Sequence, residues 1–405
     1  MNLDQSFVEK LDTRIRACRD LPVQIRSGEH LRLIDPLRGN EVLLNPRRSQ
    51  RPSGAGKCPF CTGQTPPTLF YMEAQPEDVF TSEPPAEIEV GRPRVETERE
   101  SFAALARYQA SLPPGEEPDP WEAIRILMRT SHPDWKGDFT PATLPGRPYL
   151  VRTFLNFVPI LVEPGSAAEC FVLTLPPPYH DMDIGILKQN PSGEQRALPI
   201  PALEALLASW QVLEEWSYHR DLLPIPFVNG GKNPLSGQSL ECFHSQFFSV
   251  DQEDFPPLFR SLRERRSMGG CPLCAIIGDP HLLVKRFGDV RVAVHPAPSR
   301  NLTFVIASEE EVPRLSDLPD LRAFAEALSW TVRRYESLLG GVPAYVVALR
   351  SGDAVGHLHA EVVPRSLVNV PGGFEETTGF VVTTRDPHEV ARQVREYDER
   401  EAEDG

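Results

Sequence analysis

The sequence predicts an α+β protein that is built from two similar halves. Two observations carry this prediction: each half contains a C-x-x-C pair, and the same order of elements follows each pair. That order is two strands, a helix, a third strand and a fourth strand that carries histidine. A repeated order of this kind indicates an internal duplication. The predicted halves are residues 1–262 and 263–405, with an insertion at about residues 75–146.

Composition narrows the class of protein. The chain has 405 residues, of which 40% are hydrophobic and 24% charged, as in an ordinary soluble globular protein. The net charge of −15 argues against nucleic acid as a partner, because phosphate backbones select basic surfaces. The N-terminal segment lacks the apolar core of a signal peptide, and no later run is long enough to span a membrane. We therefore expect a cytoplasmic protein without a membrane partner.

The seven cysteines indicate metal ligands or buried thiols more than disulfides, because disulfides are rare in the cytosol. Four of them form the two C-x-x-C pairs, Cys58 with Cys61 and Cys271 with Cys274. Cysteines at this spacing form the tight knuckle that binds zinc. The pattern therefore predicts a metal site in each half.

The first part of the chain predicts helices, a hairpin and the insertion. Residues 1–25 have the pattern of an amphipathic helix. Two short apolar runs within His30–Pro52 flank a turn at Gly39-Asn40, which predicts a β-hairpin. The insertion is rich in Pro, Glu and Arg, and it contains predicted helices at Glu98–Ala110 and Trp121–Arg129.

The middle of the chain predicts a sheet covered by one helix. Tyr149–Val162 and Cys170–Leu175 are β-branched and aromatic, as in strands. Apolar residues then recur at helical spacing, and these are Leu203, Leu206, Leu207, Trp210, Leu213 and Trp216. A further strand at Pro224–Val228 leads into a stretch rich in Gly and Asn.

That stretch, Asn229–Phe248, ends in an alternating pattern that would place Cys242, His244 and Gln246 on one face of a strand. Polar residues on the solvated face of an edge strand produce the same alternation, so the pattern alone is ambiguous. The repeat favours a functional interpretation, since a similar motif, Gly356–Val363, stands at the same place in the second half.

The second half repeats the elements of the first. Strands are predicted at Val290–His295 and Leu302–Ala307, followed by a long helix at Asp320–Leu339. A strand at Ala344–Leu349 then leads to the motif with two histidines.

Several segments together resemble the galactose-1-phosphate uridylyltransferase family of the histidine triad superfamily. They are IDPLRGNEVLLNPRRSQRP, CPFCTG, VRTFLNFVP, the N-G-G…S-G-Q-S…H-S-Q stretch and GHLHAEVVPR…GGFEETTGFVV. The family is a fused duplication, so the resemblance implies two triad-like halves, each an antiparallel sheet with packed helices. It covers nearly the whole chain apart from residues 1–25 and 75–146.

The resemblance implies nucleotidyl transfer in two steps, with His244 as the nucleophile that attacks the α-phosphorus of a nucleotide sugar. This role requires an unprotonated Nε2. We therefore expect Nδ1 to donate to a main-chain carbonyl near Cys242. Gln246 would hold a phosphate oxygen but, as an amide, could not act as a general acid or base. Its presence favours transfer to a second substrate over hydrolysis.

Further residues match substrate-binding positions of the family. Those expected to contact the nucleotide, the phosphates or the sugar are Arg48, Arg51, Asn156, Asn229, Gly237, Ser239, His359 and Glu375. Glycine permits close approach of the backbone to phosphate, and a carboxylate can accept from two sugar hydroxyls.

The resemblance also implies a structural zinc site, with Cys58, Cys61, His180 and Cys242 as ligands. Cysteine replaces the family's histidine at the last position, and both side chains are good zinc ligands. In the second half, Cys271, Cys274 and His357 match a similar site. Its fourth ligand is either a carboxylate from Ser308-Glu309-Glu310 or missing, in which case the cysteine pair is vestigial.

The expected function is transfer of a nucleoside monophosphate, UMP in the simplest case, from a nucleotide sugar to a hexose 1-phosphate. One alternative is a phosphorylase that acts on a nucleoside diphosphate sugar or a dinucleoside polyphosphate. The other is a catalytically silent binding protein that zinc stabilises. The resemblance further implies a homodimer.

Overall fold

The structure of the chain is a computed structural model. It describes residues 8–9, 11–13, 15–16, 31–34, 41–44, 68–73, 88–89, 107, 110–113, 149–156, 168–175, 182–185, 188–189, 195–231, 242–251, 256–339, 344–353, 355–365, 378 and 381–404.

Two compact units alternate along the chain. The first unit consists of Met1–Asp181, Ser209–Pro224 and Ser239–Phe255, and the second of Met182–Ala208, Ile225–Gln238 and Pro256–Gly405. The chain passes between them inside helix α1 (Ile200–His219) and inside strand β9 (Leu222–Gly230). The division into sequence repeats near residue 262 remains a prediction.

The N-terminal part of the first unit contains the predicted hairpin. Strands β1 (Leu31–Ile34) and β2 (Glu41–Leu44) pair antiparallel. The described residues between 8 and 16 are helical, in agreement with the helix predicted over residues 1–25. In the insertion, residues 107, 110 and 111 are helical, and the helix predicted at Trp121–Arg129 lies outside the described residues.

In the described part of the first unit, the main sheet is antiparallel with the strand order β10-β6-β5-β3-β4. Their bounds are β3 (Thr68–Glu73), β4 (Ile88–Glu89), β5 (Tyr149–Leu155), β6 (Glu169–Thr174) and β10 (His244–Asp251). Strands β5 and β6 confirm the predicted strands. The prediction extended the first of them to Val162, but β5 ends at Leu155.

Helix α1 packs on one face of this sheet, as its apolar periodicity predicts. The ring of Trp216 lies edge-on to Phe171 at a centroid distance of 5.4 Å, and Phe171 meets Phe247 at 6.2 Å. The indole of Trp210 donates to the Ser245 hydroxyl at 2.9 Å. Since buried indoles need a hydrogen-bond partner, this contact satisfies Trp210 and ties α1 to β10.

The sheet of the second unit is also antiparallel, in the order β11-β12-β13-β15-β14-β9. Its remaining strands are β11 (Leu283–Phe287), β12 (Val290–Val294), β13 (Phe304–Ser308), β14 (Ala344–Arg350) and β15 (His359–Arg365). The predicted strands of the second half are therefore confirmed, and β11 is an addition. Two short strands, β7 (Lys188–Gln189) and β8 (Gln195–Arg196), form a separate pair.

Besides the first part of α1, the described residues of the second unit form four longer helices. They are α2 (Pro257–Ser267), α3 (Pro272–Gly278), α4 (Leu321–Leu339) and α5 (Pro387–Asp404). The predicted long helix is α4, and it packs on β12 and β13. Its buried Tyr335 donates to the carbonyl of Leu302 at 3.0 Å and to that of Val362 at 2.6 Å.

The duplication is visible in the strand pairing. In the first unit β10 pairs with β6, and β6 pairs with β5. In the second unit β15 pairs with β13, and β13 pairs with β12. In both units, therefore, the strand that carries the histidine motif pairs with the strand that precedes the long helix. The predicted α+β class is confirmed. Among the described residues, no helix has the length and apolar character needed to cross a membrane.

Candidate active site and metal-ligand cluster

His244 is the first residue of β10, and its side chain is 5% exposed. Its Nδ1 lies 2.9 Å from the carbonyl oxygen of Cys242. A carbonyl oxygen can only accept, so Nδ1 carries the proton and Nε2 of the neutral ring keeps its lone pair. The predicted hydrogen bond to the main chain near Cys242 is confirmed.

Gln246 shares the face of His244. On β6, His244 pairs with Thr174 and Gln246 with Val172, while Ser245 points to the opposite face, where α1 lies. All residues from His244 to Val250 are buried. The burial excludes the alternative of a solvated polar face, which the alternating sequence left open.

Cys242 lies two residues before β10, which begins at His244. The expectation that the strand extends back to Cys242 is therefore wrong, and strand alternation does not orient this cysteine. Its side chain is buried, and its sulfur is part of a disulfide. Cys170, Cys271 and Cys274 are free thiols, so the partner lies outside the described residues.

This disulfide bears on the zinc prediction in two ways. It places a second cysteine sulfur beside Cys242, as a thiolate zinc site requires. A sulfur in a disulfide is not a thiolate, however, and reduction must precede metal binding. The role of Cys242 as a zinc ligand stays a prediction.

Arg152 is a candidate that sequence reasoning missed. It pairs with Thr174, which pairs with His244, so the three residues form one row across β5, β6 and β10. Arg152 is only 1% exposed, and its guanidinium carbon lies 5.1 Å from the centre of the Phe154 ring. Phe154 belongs to the adjacent row, with Val172 and Gln246. A buried guanidinium is a strong anion-binding group when it faces a substrate site.

Asn156, a predicted nucleotide contact, follows β5 directly. Its backbone amide donates to the Cys170 carbonyl at 2.7 Å, and its side-chain amide donates to the Cys170 sulfur at 3.4 Å. Arg152, Phe154 and Asn156 alternate along the chain, and they therefore share the face that carries His244. The alternation V-R-T-F-L-N was the sequence signal that could have identified Arg152.

Asn229, the other predicted nucleotide contact, lies in the second unit. It is half-buried on β9 and pairs with Val346 of β14. The backbone just beyond it is fixed by Asp183, whose carboxylate accepts from the amides of Ile184 at 2.7 Å and Gly231 at 2.8 Å. The hydroxyl of Tyr345 donates to the same carboxylate.

His359 repeats the geometry of His244. It is the first residue of β15, and its Nδ1 lies 2.9 Å from the carbonyl oxygen of His357. Burial lowers the pKa of His359 to about 4, so its ring is neutral at physiological pH. Glu361 takes the place of Gln246, and it forms an ion pair with Arg350 at 3.2 Å. The second copy thus carries an ion pair where the first carries an amide.

Cys271, Cys274 and His357 form a cluster that could hold a metal, and their ligand atoms all lie within 4.8 Å of one another. Nδ1 of His357 is 3.2 Å from the Cys271 sulfur and 3.5 Å from the Cys274 sulfur. Its Nε2 lies 3.0 Å from the carbonyl oxygen of Ser308. This second contact directs the Nδ1 lone pair at the thiols, which is the usual arrangement of a metal-binding histidine. Two thiols and an imidazole suit zinc.

The remaining predicted site residues lie outside the described residues. They are Arg48, Arg51, Cys58, Cys61, His180, Gly237, Ser239 and Glu375. Their roles stay predictions.

Known structures share this architecture. An ADP-glucose phosphorylase from Arabidopsis thaliana, solved with bound ADP-glucose, aligns with a TM-score of 0.54 at 17% identity, over 91% of this chain and 99% of that chain. A uridylyltransferase structure aligns with a TM-score of 0.51 at 19% identity, over 60% of this chain and 83% of that one. A GalT-like protein from Arabidopsis thaliana aligns with a TM-score of 0.50 at 18% identity, over 61% and 84% of the two chains.

The chain has the uridylyltransferase-like fold. The resemblance seen in the motifs is confirmed at the level of the fold, and identities this low establish the fold alone. No family model matches the sequence, and no curated protein matches it by sequence.

Proposed function

We propose that the protein is a nucleotidyltransferase of the galactose-1-phosphate uridylyltransferase family that works through a covalent nucleotidyl-histidine at His244. It transfers a nucleoside monophosphate, with UMP as the first candidate, from a nucleoside diphosphate sugar to a hexose 1-phosphate. The observation that carries the proposal is the hydrogen bond from His244 Nδ1 to the Cys242 carbonyl at 2.9 Å. It holds the ring in the tautomer that a phosphorus-attacking imidazole needs.

In the first step, the lone pair on Nε2 of His244 forms a bond to the α-phosphorus. The bond from that phosphorus to the bridging oxygen breaks, and its electron pair leaves with hexose 1-phosphate. The imidazole acquires a positive charge, which the Nδ1–H contact with the Cys242 carbonyl stabilises. In the second step, a phosphate oxygen of the acceptor attacks the phosphorus, and the N–P electron pair returns to the ring.

The neighbouring side chains fit these two steps. Gln246 shares the face of His244 and can donate its amide to a non-bridging oxygen. An amide activates no water, which favours a sugar phosphate over water as the acceptor. Arg152, in the same row as His244, supplies positive charge for the phosphates. An acidic protein with a net charge of −15 needs such a local cation to bind an anionic substrate.

A phosphorylase is the second candidate, and one observation favours it. The ADP-glucose phosphorylase fold aligns over 91% of this chain, against 60% for the uridylyltransferase. Its first step would be the same, and inorganic phosphate would replace the sugar phosphate as the acceptor. By analogy with that neighbour, adenine is then the first candidate for the base.

Zinc has a structural role in this proposal. Cys271, Cys274 and His357 would hold one ion and join the start of α3 to the segment before β15. The predicted ligands Cys58, Cys61, His180 and Cys242 would hold another. When bound, the ion supplies a fixed cross-link and takes no part in nucleotidyl transfer.

The test is a search for the covalent intermediate by intact-protein mass spectrometry. The reduced protein is incubated with UDP-, ADP- and GDP-sugars and with dinucleoside polyphosphates, without an acceptor. We expect a mass increase equal to one nucleoside monophosphate, mapped by peptide analysis to His244 and lost in His244→Ala. His219→Ala is the control, since this histidine is exposed at the end of α1.

The acceptor then separates the two candidates. Discharge of the adduct by hexose 1-phosphate supports the transferase, and discharge by inorganic phosphate supports the phosphorylase. If no donor gives an adduct or any turnover, both enzyme proposals fail and the silent binding protein remains. An adduct on a residue other than His244 would also refute the mechanism.

A further inference from the structure

The cluster of Cys271, Cys274 and His357 supplies three ligands, whereas structural zinc sites have four. The family resemblance implies a histidine at the fourth position. Ser308-Glu309-Glu310 occupies the corresponding position after the second strand, and no histidine stands between His295 and His357, so a carboxylate is the candidate ligand there. The candidates lie in the segment of chain that surrounds His357.

The segment from Ser308 to Pro313 wraps around His357. The carbonyl of Ser308 lies 3.0 Å from Nε2 of His357. The carbonyl of Val312 accepts from the amide of Leu358 at 2.7 Å. Both ends of the stretch between these carbonyls are therefore anchored beside the metal-ligand cluster, and that stretch contains three consecutive glutamates.

The three glutamates differ in what they contact. Glu309 forms an ion pair with Arg291 of β12, and its carboxylate is exposed. For Glu310, only the main-chain carbonyl has a described contact, from the Ser308 hydroxyl. Glu311 forms an ion pair with Arg266 of α2 at 3.3 Å. Arg266 in turn lies close to the metal-ligand cluster.

Arg266 lies against the residue that precedes His357. A Cβ built on Gly356 would lie 0.8 Å from Nη1 of Arg266, and Gly356 has a φ of +78°. The backbone angle favours glycine, and a larger side chain at this position would displace the Arg266 guanidinium. The guanidinium therefore occupies the space beside Gly356, and Glu311, its partner, is held near the histidine.

We propose that Glu311 is the fourth ligand of this cluster and that Arg266 orients its carboxylate. A carboxylate has two oxygens, so one can keep the ion pair with Arg266 while the other binds the metal. The Glu311 side chain is 39% exposed. Its carboxylate lies outside the group of ligand atoms within 4.8 Å of one another, so it turns toward the cluster when the metal binds. The result is a Cys₂His-carboxylate site for a zinc-type divalent cation. This inference does not rest on the proposed nucleotidyl transfer.

The test measures metal binding by the reduced full-length protein. Zinc affinity is determined by competition with a chromophoric chelator, and coordination is followed through the visible spectrum of the cobalt-substituted protein. Cys271→Ser identifies the signal of this cluster, since a second predicted site can also bind metal. The key variants are Glu311→Gln and Glu311→His, and Glu310→Gln is the matched control one residue away.

We expect Glu311→Gln to lower the zinc affinity of the cluster by at least about 10-fold and to weaken its tetrahedral cobalt bands. Glu311→His should restore the tetrahedral bands, because imidazole replaces the carboxylate as a ligand. Arg266→Gln should reduce the affinity less than Glu311→Gln and leave the cobalt spectrum unchanged. Glu310→Gln should match the wild type in both measurements.

Three results would overturn the proposal. Wild-type affinity and spectrum in Glu311→Gln would show that the carboxylate is not a ligand. A loss in Glu310→Gln instead would assign the role to its neighbour. If Cys271→Ser removes no metal signal from the protein, the cluster binds no metal at all. Far-ultraviolet circular dichroism of each variant in chelator checks that the fold without metal is intact.

Discussion

Arg152 lies in the same row of the sheet as His244, and its function can be tested directly. Two strand spacings of roughly 4.8 Å separate the backbones of Arg152 and His244, and the small Thr174 lies between them. A long side chain can cross that distance to a phosphate held at Nε2. If Arg152 neutralises the phosphates, the charge and the planar donor geometry both matter.

We therefore expect Arg152→Met to lower kcat/KM for nucleotidyl transfer by roughly 10²-fold to 10³-fold, as for loss of one transition-state donor. Arg152→Lys should recover part of the loss, because it keeps the charge without the fork of donors. Adduct formation kinetics measure the effect, and thermal unfolding checks stability. Equal rates in wild type and Arg152→Met would remove Arg152 from the substrate site.

Glu204 is a second residue whose burial has a measurable consequence. It lies on α1 within the second unit, and its Oε2 has no hydrogen-bond partner in the described part of the chain. Burial raises its pKa to about 6, above the ordinary value of 4.5, with Arg322 opposing the shift. The folded protein therefore binds this proton more tightly than the unfolded chain does. Its contribution to stability is complete below pH 4.5 and is lost as pH rises through 6.

Glu204→Gln should remove the cost of the buried charge. At pH 8 we expect the variant to be more stable than the wild type by about 2 kcal/mol, with the difference vanishing near pH 4. Urea unfolding at several pH values measures it. Glu215→Gln, on the same helix but beside the exposed His219, is the control. A stability difference that does not change with pH would contradict the assignment.

At the scale of elements, the end of β9 depends on contacts that are distant in sequence. The Asp183 carboxylate accepts from the Gly231 amide and from the Tyr345 hydroxyl of β14, and the Tyr345 ring packs against Gly230. A Cβ at Gly230 would lie 2.1 Å from the ring carbon that bears the hydroxyl. This arrangement fixes the point where the chain leaves the sheet for the Gly-rich loop, in which Gly237 and Ser239 are predicted phosphate contacts.

Tyr345→Phe tests how much this anchor contributes. The substitution removes one donor from a buried carboxylate, so we expect a loss of about 1–3 kcal/mol in the free energy of unfolding. Burial keeps the pKa of Tyr345 well above its ordinary value, so the hydroxyl remains a donor at any usual pH. Chemical denaturation measures the loss. The half-buried Tyr397 of α5 gives the control, and an equal effect of Tyr397→Phe would speak against a special role for the anchor.

These elements also show what sequence could and could not predict. Local patterns identified α1, α4 and the strands around them, because apolar periodicity reflects burial against a neighbouring sheet. Strand β11 was missed, although Phe287-Gly-Asp-Val290 is a recognisable hairpin turn between two short runs. The start of β10 was placed two residues early, since alternation in the sequence continues through Cys242 although the strand pairing does not.

Across the whole molecule, the repeat made the architecture predictable and left part of the site hidden. The two histidine motifs fold alike: His244 is hydrogen-bonded to the Cys242 carbonyl, and His359 to the His357 carbonyl. Arg152 and Glu311 were not predicted from the sequence, and the reason is the same for both. Their proximity to a site depends on strand register and on a wrapped loop, and neither can be read from spacing along the chain.

The residues around the histidine differ between the two copies. Adding zinc tests how much the cluster in the second copy contributes to stability. If zinc binds the folded cluster but not the unfolded chain, it stabilises the protein by about 2.7 kcal/mol at a free concentration of 100 times Kd. We expect added zinc to raise the Tm of the reduced wild type, and the increase to be smaller in Cys271→Ser. Hydrogen exchange should show the added protection in α3 and at the start of β15. An equal increase in both proteins, without that protection, would mean that the stabilising zinc binds elsewhere.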